Sequence, residues 1–206
     1  RVLRRKVDDR LVLFNGDGHE YPASLINAER NSAKVSIAER ISRRTESPLH
    51  THLGIAVSKG DRFDWLVQKA TELGVSEISP LMSNRCEVRL AGERAQKKHA
   101  HWQQVIQSAC EQSGRNTLPS LHGITPLANW LQHVDYDIGL VLAPGEASNN
   151  LKALAKPTRV ALLIGPEGGL DDEEITQAVA GGLGKLTLGP RILRTETAPL
   201  AAISLL

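Results

Sequence analysis

Arg194, Thr195, Glu196 and Thr197 place a guanidinium, two hydroxyls and a carboxylate in four consecutive residues, with a second guanidinium at Arg191. A carboxylate can take a proton from a weak acid, and a neighbouring guanidinium can stabilise the negative charge that develops. The group follows the turn Leu188-Gly189-Pro190 and precedes the apolar stretch 198–206. A mere connector rarely concentrates so much polarity beside an apolar run, so the wall of a pocket is the expected role. Upstream, Leu163-Ile164-Gly165-Pro166-Glu167-Gly168-Gly169-Leu170 carries a second apolar strand into a second glycine-bearing loop. Two such loops suit the place where ligands gather in an open α/β sheet, outside the carboxyl ends of its strands.

The first loop reads poorly as a phosphate cradle. Gly165, Gly168 and Gly169 permit close backbone approach, yet the spacing matches neither the P-loop nor the dinucleotide fingerprint. Asp171-Asp172-Glu173-Glu174 follows, and Asp171 with Glu174 is predicted to form a capping box. Acids there occupy the helix end that would otherwise attract an anion. A neutral or cationic ligand fits better.

The elements that must position these loops follow from periodicity. Residues 1–46 read as β, with strands over 10–14, 21–27 and 33–41 and a turn at Asn15-Gly16-Asp17-Gly18, a small barrel or half-barrel. A polar linker over 43–48 puts the boundary after Glu46, giving domains 1–46 and 47–206. Beyond it strands and helices alternate, the mark of a parallel sheet. Strands are predicted over 52–58, 75–81, 137–143, 159–164 and 185–188. Helices are predicted from Asp61 to the stop at Gly74, over 93–113, and over 127–133. Trp65, Trp102 and Trp130 each fall in a helical apolar pattern and are expected in the core. His50 and His52 are expected on a solvated strand edge, and His99 and His101 to face apart on one helix.

Composition is that of an ordinary soluble domain: 206 residues, 41% hydrophobic and 23% charged. No apolar run is long enough for a bilayer, no signal peptide opens the chain, and no membrane partner is expected. Cys86 and Cys110 are expected to stay reduced in the cytoplasm, and the scattered histidines suggest no metal. Charge is uneven. Residues 1–116 carry 19 Lys/Arg against 14 Asp/Glu, and residues 117–206 carry 6 against 9. A basic front is expected to meet a polyanion. The candidates are Arg4, Arg5, Lys6, Arg43 and Arg44, then Lys59, Lys69, Arg85 and Arg115. Glu111, Gln112 and Asn116 could hydrogen-bond a base edge, although helix termination at Gly114 explains part of that stretch.

Ile164-Gly165-Pro166-Glu167-Gly168-Gly169, with Leu188-Gly189-x-x-Ile192-Leu193-Arg194-Thr195-Glu196-Thr197-Ala198, resembles the RsmE family of 16S ribosomal RNA uridine-N3 methyltransferases, within the SPOUT class. Arg1-Val2-Leu3-Arg4, Glu46-Ser47-Pro48-Leu49, Gln68-Lys69-x-x-Glu72-Leu73-Gly74, Arg85-Cys86 and the run from Ala109 to Asn116 agree. The resemblance covers nearly the whole chain. It implies a PUA-like, RNA-binding β-barrel and then an α/β domain whose end, about 140–206, is threaded into a deep trefoil knot. Chains of that family begin earlier and end later, so the barrel is expected to be truncated and Leu206 to fall inside the last helix.

The same resemblance implies S-adenosyl-L-methionine as cofactor, held by Leu142, Ala143 and Pro144, by Ile164, Gly165, Pro166, Glu167, Gly168 and Gly169, and by Leu188, Gly189, Ile192, Leu193, Arg194 and Ala198. It implies 16S rRNA or the small ribosomal subunit as partner, and a homodimer. Because N3 of uridine lies on the Watson–Crick edge, the base must be unpaired or flipped. Arg194 is then expected to stabilise a carbonyl oxygen. Glu196 is the candidate base, or else it orients Arg194 or caps the following helix with Thr195 or Thr197. Three other readings stay in view: a non-catalytic RNA-binding protein on this fold, a methyltransferase acting on another nucleotide, and a nucleotide-dependent oxidoreductase, which the missing fingerprint disfavours.

Overall fold

The computed structural model describes residues 6–143 and 157–206. Arg4, Arg5 and Pro144, named above, lie outside the described residues. The chain divides into two compact units, Arg1–Glu46 with Cys110–Leu118, and Ser47–Ala109 with Pro119–Leu206. No feature of the sequence announced that the segment Cys110–Leu118 would join the first unit.

In the first unit β1 (Arg10–Leu13), β2 (His19–Ala28) and β3 (Ala33–Ile37) form an antiparallel sheet in that order, and β4 (Ile41–Ser42) pairs with β2. The strand expected over 33–41 is thus two short ones. A β-bulge between Leu25 and Asn27 shifts the register of β2 against β3. Ala23 and Leu25 are the buried hydrophobics of this sheet, while Val12, Ile26, Ile37 and Ile41 are exposed. Arg115 and Asn116 supply polar anchorage. The Arg115 guanidinium grips both carboxylate oxygens of Glu46, with Nε donating to Oε1 at 3.1 Å. Asn116 donates to the carbonyls of Gly18 and Arg43 at 3.2 and 2.8 Å.

The second unit is a parallel sheet in the order β11-β9-β10-β5-β6-β7, with β8 also paired to β6. Its strands are β5 (His50–Ala56), β6 (Glu77–Met82), β7 (Ser120–Leu121), β8 (Thr125–Pro126), β9 (Ile138–Leu142), β10 (Arg159–Ile164) and β11 (Gly184–Leu186). The central strands read as unbroken apolar runs because helices cover a parallel sheet on both faces. Leu81, Val141, Ala161 and Leu163 pack with Trp130, Leu170 and Ala178. They lie beneath α3 (Leu127–His133) and α4 (Asp172–Ala180). Leu53, Ile55, Leu140 and Leu162, one step out of phase, are fully buried on the opposite face.

Helix α1 (Arg62–Glu72) packs on α5 (Thr197–Leu205), and α5 lies over β10. Phe63, Leu66, Val67 and Ala70 are buried as their spacing requires, although Leu73 is exposed at the helix end. The long helix α2 (Gly92–Ser113) sends Trp102 against Phe63, ring centroids 4.4 Å apart, and its indole N–H donates to Asp64 at 2.8 Å.

Two expectations fail here. Trp102 and Trp130 are core residues, but Trp65 is 43% exposed on α1. His50 and His52 lie on an interior strand, and His52 is buried. Its Nε2 accepts from the Trp130 indole at 3.3 Å and lies 2.8 Å from the Ser79 hydroxyl, which leaves the proton on Nδ1, facing Glu77 at 3.7 Å. Glu77 also bonds His50 and His122, each at 2.6 Å. His52, Glu77 and His122 bring ligand-type atoms within 4.8 Å of one another, with Glu77 hydrogen-bonded to His122 at 2.6 Å and 3.7 Å from His52.

Candidate active site

Strands β9, β10 and β11 end at one edge of the second unit, where the end of β9 and the loops after β10 and β11 line a cavity of about 1010 Å³. Leu142 and Ala143 line it from β9, residues 164–170 from β10, and residues 186–196 from β11, with Ala198 from α5. Within its walls come together Leu142, Ala143, Ile164, Gly165, Pro166, Glu167, Gly168, Gly169, Leu188, Gly189, Ile192, Leu193, Arg194 and Ala198. Those are all the residues assigned to a cofactor from the sequence except Pro144.

The tight loop after β10 exists because Gly165 lacks a side chain. A Cβ there would meet the backbone N of Leu170 at 2.6 Å and the carbonyl carbon of Gly169 at 2.9 Å. In the facing loop Gly189 has φ +88, a conformation glycine adopts without the Cβ clash. The next two residues, Pro190 and Arg191, begin the return toward α5.

The acidic end of α4 is built as its sequence predicts. Asp171 accepts from the backbone N of Glu174 at 2.8 Å, and Glu174 accepts from that of Asp171 at 3.0 Å. Hydrogen bonds from the Glu174 backbone and from Asn84 hold the Asp171 carboxyl below its ordinary range. Asp172, the next acid at this helix N-terminus, lines the cavity, so this wall disfavours a phosphate and tolerates a cation.

The loop after β6 clamps this wall, which periodicity did not reveal. Asn84 donates its backbone N to Glu174 at 2.7 Å and its side-chain amide to Asp171 at 2.8 Å. Arg85 donates to the carbonyls of Gly168 and Leu170 at 3.0 and 3.4 Å. Arg85 therefore lines the cleft as a brace rather than standing out as a phosphate ligand. Glu167 ties in the β5–α1 loop, accepting from the backbone N of Lys59 and the guanidinium of Arg62, each at 3.1 Å. Arg62, which sequence reasoning passed over, lines the cavity too.

At the other end of the cleft the carbonyl of Arg194 accepts from the backbone N–H groups of Thr197 and Ala198, both at 2.9 Å, opening α5. The Arg194 side chain is exposed and Thr195 is buried. Glu196 occupies the N-cap position of α5 but makes no side-chain capping bond. The capping role weighed for it is not realised, and Glu196 borders the cavity instead. Ile192, a large apolar side chain, is 95% exposed at the cavity mouth.

The basic candidates separate. Arg115 is 5% exposed and committed to Glu46, and Asn116 is buried among carbonyls, so neither reaches a nucleic acid. Lys69 is half-buried against Glu72 at 2.7 Å. Arg43 pairs with Glu20 at 2.9 Å yet stays exposed, as do Arg44, Lys59, Lys6, Glu111 and Gln112.

Such a fold and cleft define an α/β protein with a ligand site at the carboxyl ends of parallel strands, shaped for a neutral or cationic guest. Residues 45–206 match the RNA methyltransferase domain family, and residues 1–38 the RNA methyltransferase PUA domain. Ribosomal RNA small subunit methyltransferase E of Buchnera aphidicola is 34% identical over 207 residues, spanning 100% of this chain and 84% of that protein. The crystal structure of Ribosomal RNA small subunit methyltransferase E from Neisseria gonorrhoeae, bound to S-adenosyl methionine, is 42% identical with a TM-score of 0.92. That match covers 99% of this chain and 85% of the other. A Legionella pneumophila structure with bound cofactor SAM is 41% identical with a TM-score of 0.95, over 99% and 84% of the two chains. The chain belongs to the RNA methyltransferase family of these proteins. Among the described residues no helix is long and apolar enough to cross a membrane.

Proposed function

We propose that the protein methylates N3 of a uridine in 16S rRNA of the small ribosomal subunit, using S-adenosyl-L-methionine. The observation that carries this reading is the cavity of about 1010 Å³, in which a glycine-cradled loop with an acid-capped helix faces Arg194 and Glu196. The residues present suit the cofactor. Leu142, Ile164, Leu188 and Leu193 offer apolar walls for an adenine, and the room left by Gly165 brings backbone polar groups close. Asp172, at the acidic start of α4, lines the cavity and suits a sulfonium as it would not suit a phosphate. When bound, the cofactor supplies an electrophilic methyl group.

The chain's own residues do the rest. Glu196, free of any capping bond, takes the proton from N3. As it leaves, negative charge spreads over N3 and the two carbonyl oxygens, and the Arg194 guanidinium stabilises one of them. Asn84, Arg85 and Glu167 hold the loops at fixed separation, so much of the acceleration comes from positioning. Arg43, Arg44 and Lys59, together with Arg4 and Arg5, are the cations assigned to the RNA backbone.

We infer further that the first unit is a PUA-like barrel that binds RNA, that 140–206 is knotted, and that the protein works as a homodimer in the cytoplasm. Exposed Ile192 supports a partner that covers it.

The test is Arg194→Ala assayed on small-subunit RNA beside calorimetric titration with S-adenosylmethionine. Turnover is expected to fall about a hundredfold or more with cofactor affinity little changed. Unchanged turnover removes Arg194 from the chemistry.

A further inference from the structure

We propose that a second cavity, of about 660 Å³ beside the cleft, receives the target nucleotide, with its base stacked on the indole of Trp65. This rests on the methyltransferase reading and adds to it the place where the substrate base is held. Lys59, Arg62, Trp65, Glu196 and Thr197 line this cavity. Arg62 and Glu196 also line the larger cleft, so the two spaces adjoin, and a base held here presents its edge to the carboxylate assigned the N3 proton.

Trp65 is the feature without another explanation. Trp102 and Trp130 are 1% and 5% exposed and hydrogen-bonded through their indole N–H groups, whereas Trp65 is 43% exposed on the first turn of α1. Large aromatic side chains are usually well buried, and one left on a cavity wall offers a flat face to a ligand. An extruded pyrimidine loses its neighbours in the stack and needs such a face.

Lys59 and Arg62 are the cations of a lining that also carries Asp61 and Glu196, and they are the groups a phosphate would meet. The Lys59 ammonium makes an exposed ion pair with Glu87 at 3.6 Å, a weak tether that a phosphate can replace. Arg62 bonds Glu167 through one of its nitrogens, at 3.1 Å, leaving further N–H donors of the fork. Stacking recognises any base, so selection falls to the polar groups that meet its edge, Glu196 and Arg194.

The test uses the full chain and two variants, Trp65→Ala and Trp65→Phe. Three quantities are read: methylation kinetics on small-subunit RNA, cofactor affinity by calorimetry, and tryptophan fluorescence during titration with a short uridine oligonucleotide. W65A is expected to raise KM for RNA roughly tenfold to a hundredfold, the size of one lost base–aromatic stack, with cofactor affinity unchanged. W65F should restore most of that loss. The oligonucleotide should quench the native protein's emission and leave that of W65F unaffected. A W65A enzyme with native KM, or native-like quenching in W65F, overturns the proposal while leaving the methyltransferase reading intact. So does a change in sedimentation of W65A, which would make this face a contact between copies of the chain. A native protein that neither binds the cofactor nor methylates RNA overturns both.

Discussion

Asn84 and Asp171, far apart in sequence, are joined by a 2.8 Å hydrogen bond from the Asn84 amide to the carboxylate that caps α4. The bond fixes the loop after β6 against the loop after β10, so the cleft wall does not depend on its own short turn for shape. Asn84→Ala should weaken binding of S-adenosylmethionine about tenfold, the low end of what one hydrogen bond to a charged acceptor contributes. Asp171→Ala, which also removes the cap, should lower the denaturant midpoint of unfolding. Calorimetry and denaturant unfolding read the two effects. An N84A variant with native affinity would show that the wall stands without this link.

Gly165→Ala should be among the most damaging small substitutions in the chain. The added methyl meets backbone, at 2.6 Å from the Leu170 N, and backbone cannot swing aside as a side-chain end could. Overpacking of this kind costs about 1–3 kcal/mol and here displaces the cofactor loop. Expected is a loss of cofactor affinity larger than the loss of thermal stability. Native affinity in G165A would mean that the loop opens freely.

The pair Arg115–Glu46 belongs to the fold of the first unit. Arg115→Met strands a carboxylate and should destabilise the protein by about 3 kcal/mol in denaturant unfolding. Its effect on RNA should be of a different kind from that of a phosphate ligand. The salt dependence of binding should keep its slope, whereas Arg44→Ala, if Arg44 meets a phosphate, should lower it by about one. A reduced slope in R115M would return Arg115 to the RNA surface.

Acid should destabilise the second unit. Burial brings the His52 imidazole from 6.5 down to about 4, against the pull of Glu77. Burial works to raise the Glu77 carboxyl, but hydrogen bonds from His50 and His122 and the charge of His52 outweigh it and bring it from 4.5 to about 2. In each case the unfolded chain binds the proton first as pH falls. Stability is therefore lost between about pH 6.5 and 4 through His52, and between about 4.5 and 2 through Glu77. The His52 contribution is roughly 3 kcal/mol in full. His52→Gln should flatten the dependence of the unfolding midpoint on pH over the upper window, and an unchanged slope would contradict the assignment.

Much of this arrangement was written in local sequence. The apolar runs 138–142 and 159–164 could only be strands buried on both faces, and Asp171 with Glu174 announced the capped helix and its sign of charge. The two glycine-bearing loops could be paired because strands of a parallel sheet deliver their loops to one edge. What escaped was set by tertiary contacts. Trp65 stands between Phe63 and Leu66 in sequence, but one and two positions away on a helix is not the same face, so it lies off the buried stripe of Phe63, Leu66, Val67 and Ala70 and borders a cavity instead. His52 became buried because β5 is an inner strand, an order that periodicity does not encode. Arg115 looked like a surface cation until Glu46 came to meet it.

The central claim is that the cleft between the loops after β10 and β11 delivers a methyl group to N3 of a flipped uridine. Its most direct test is mass mapping of small-subunit RNA incubated with the protein and S-adenosylmethionine, beside the Arg194→Ala variant. The predicted result is one added methyl on the Watson–Crick edge of a single uridine, lost with R194A. No added methyl, or a methyl on another nucleotide, would contradict the account.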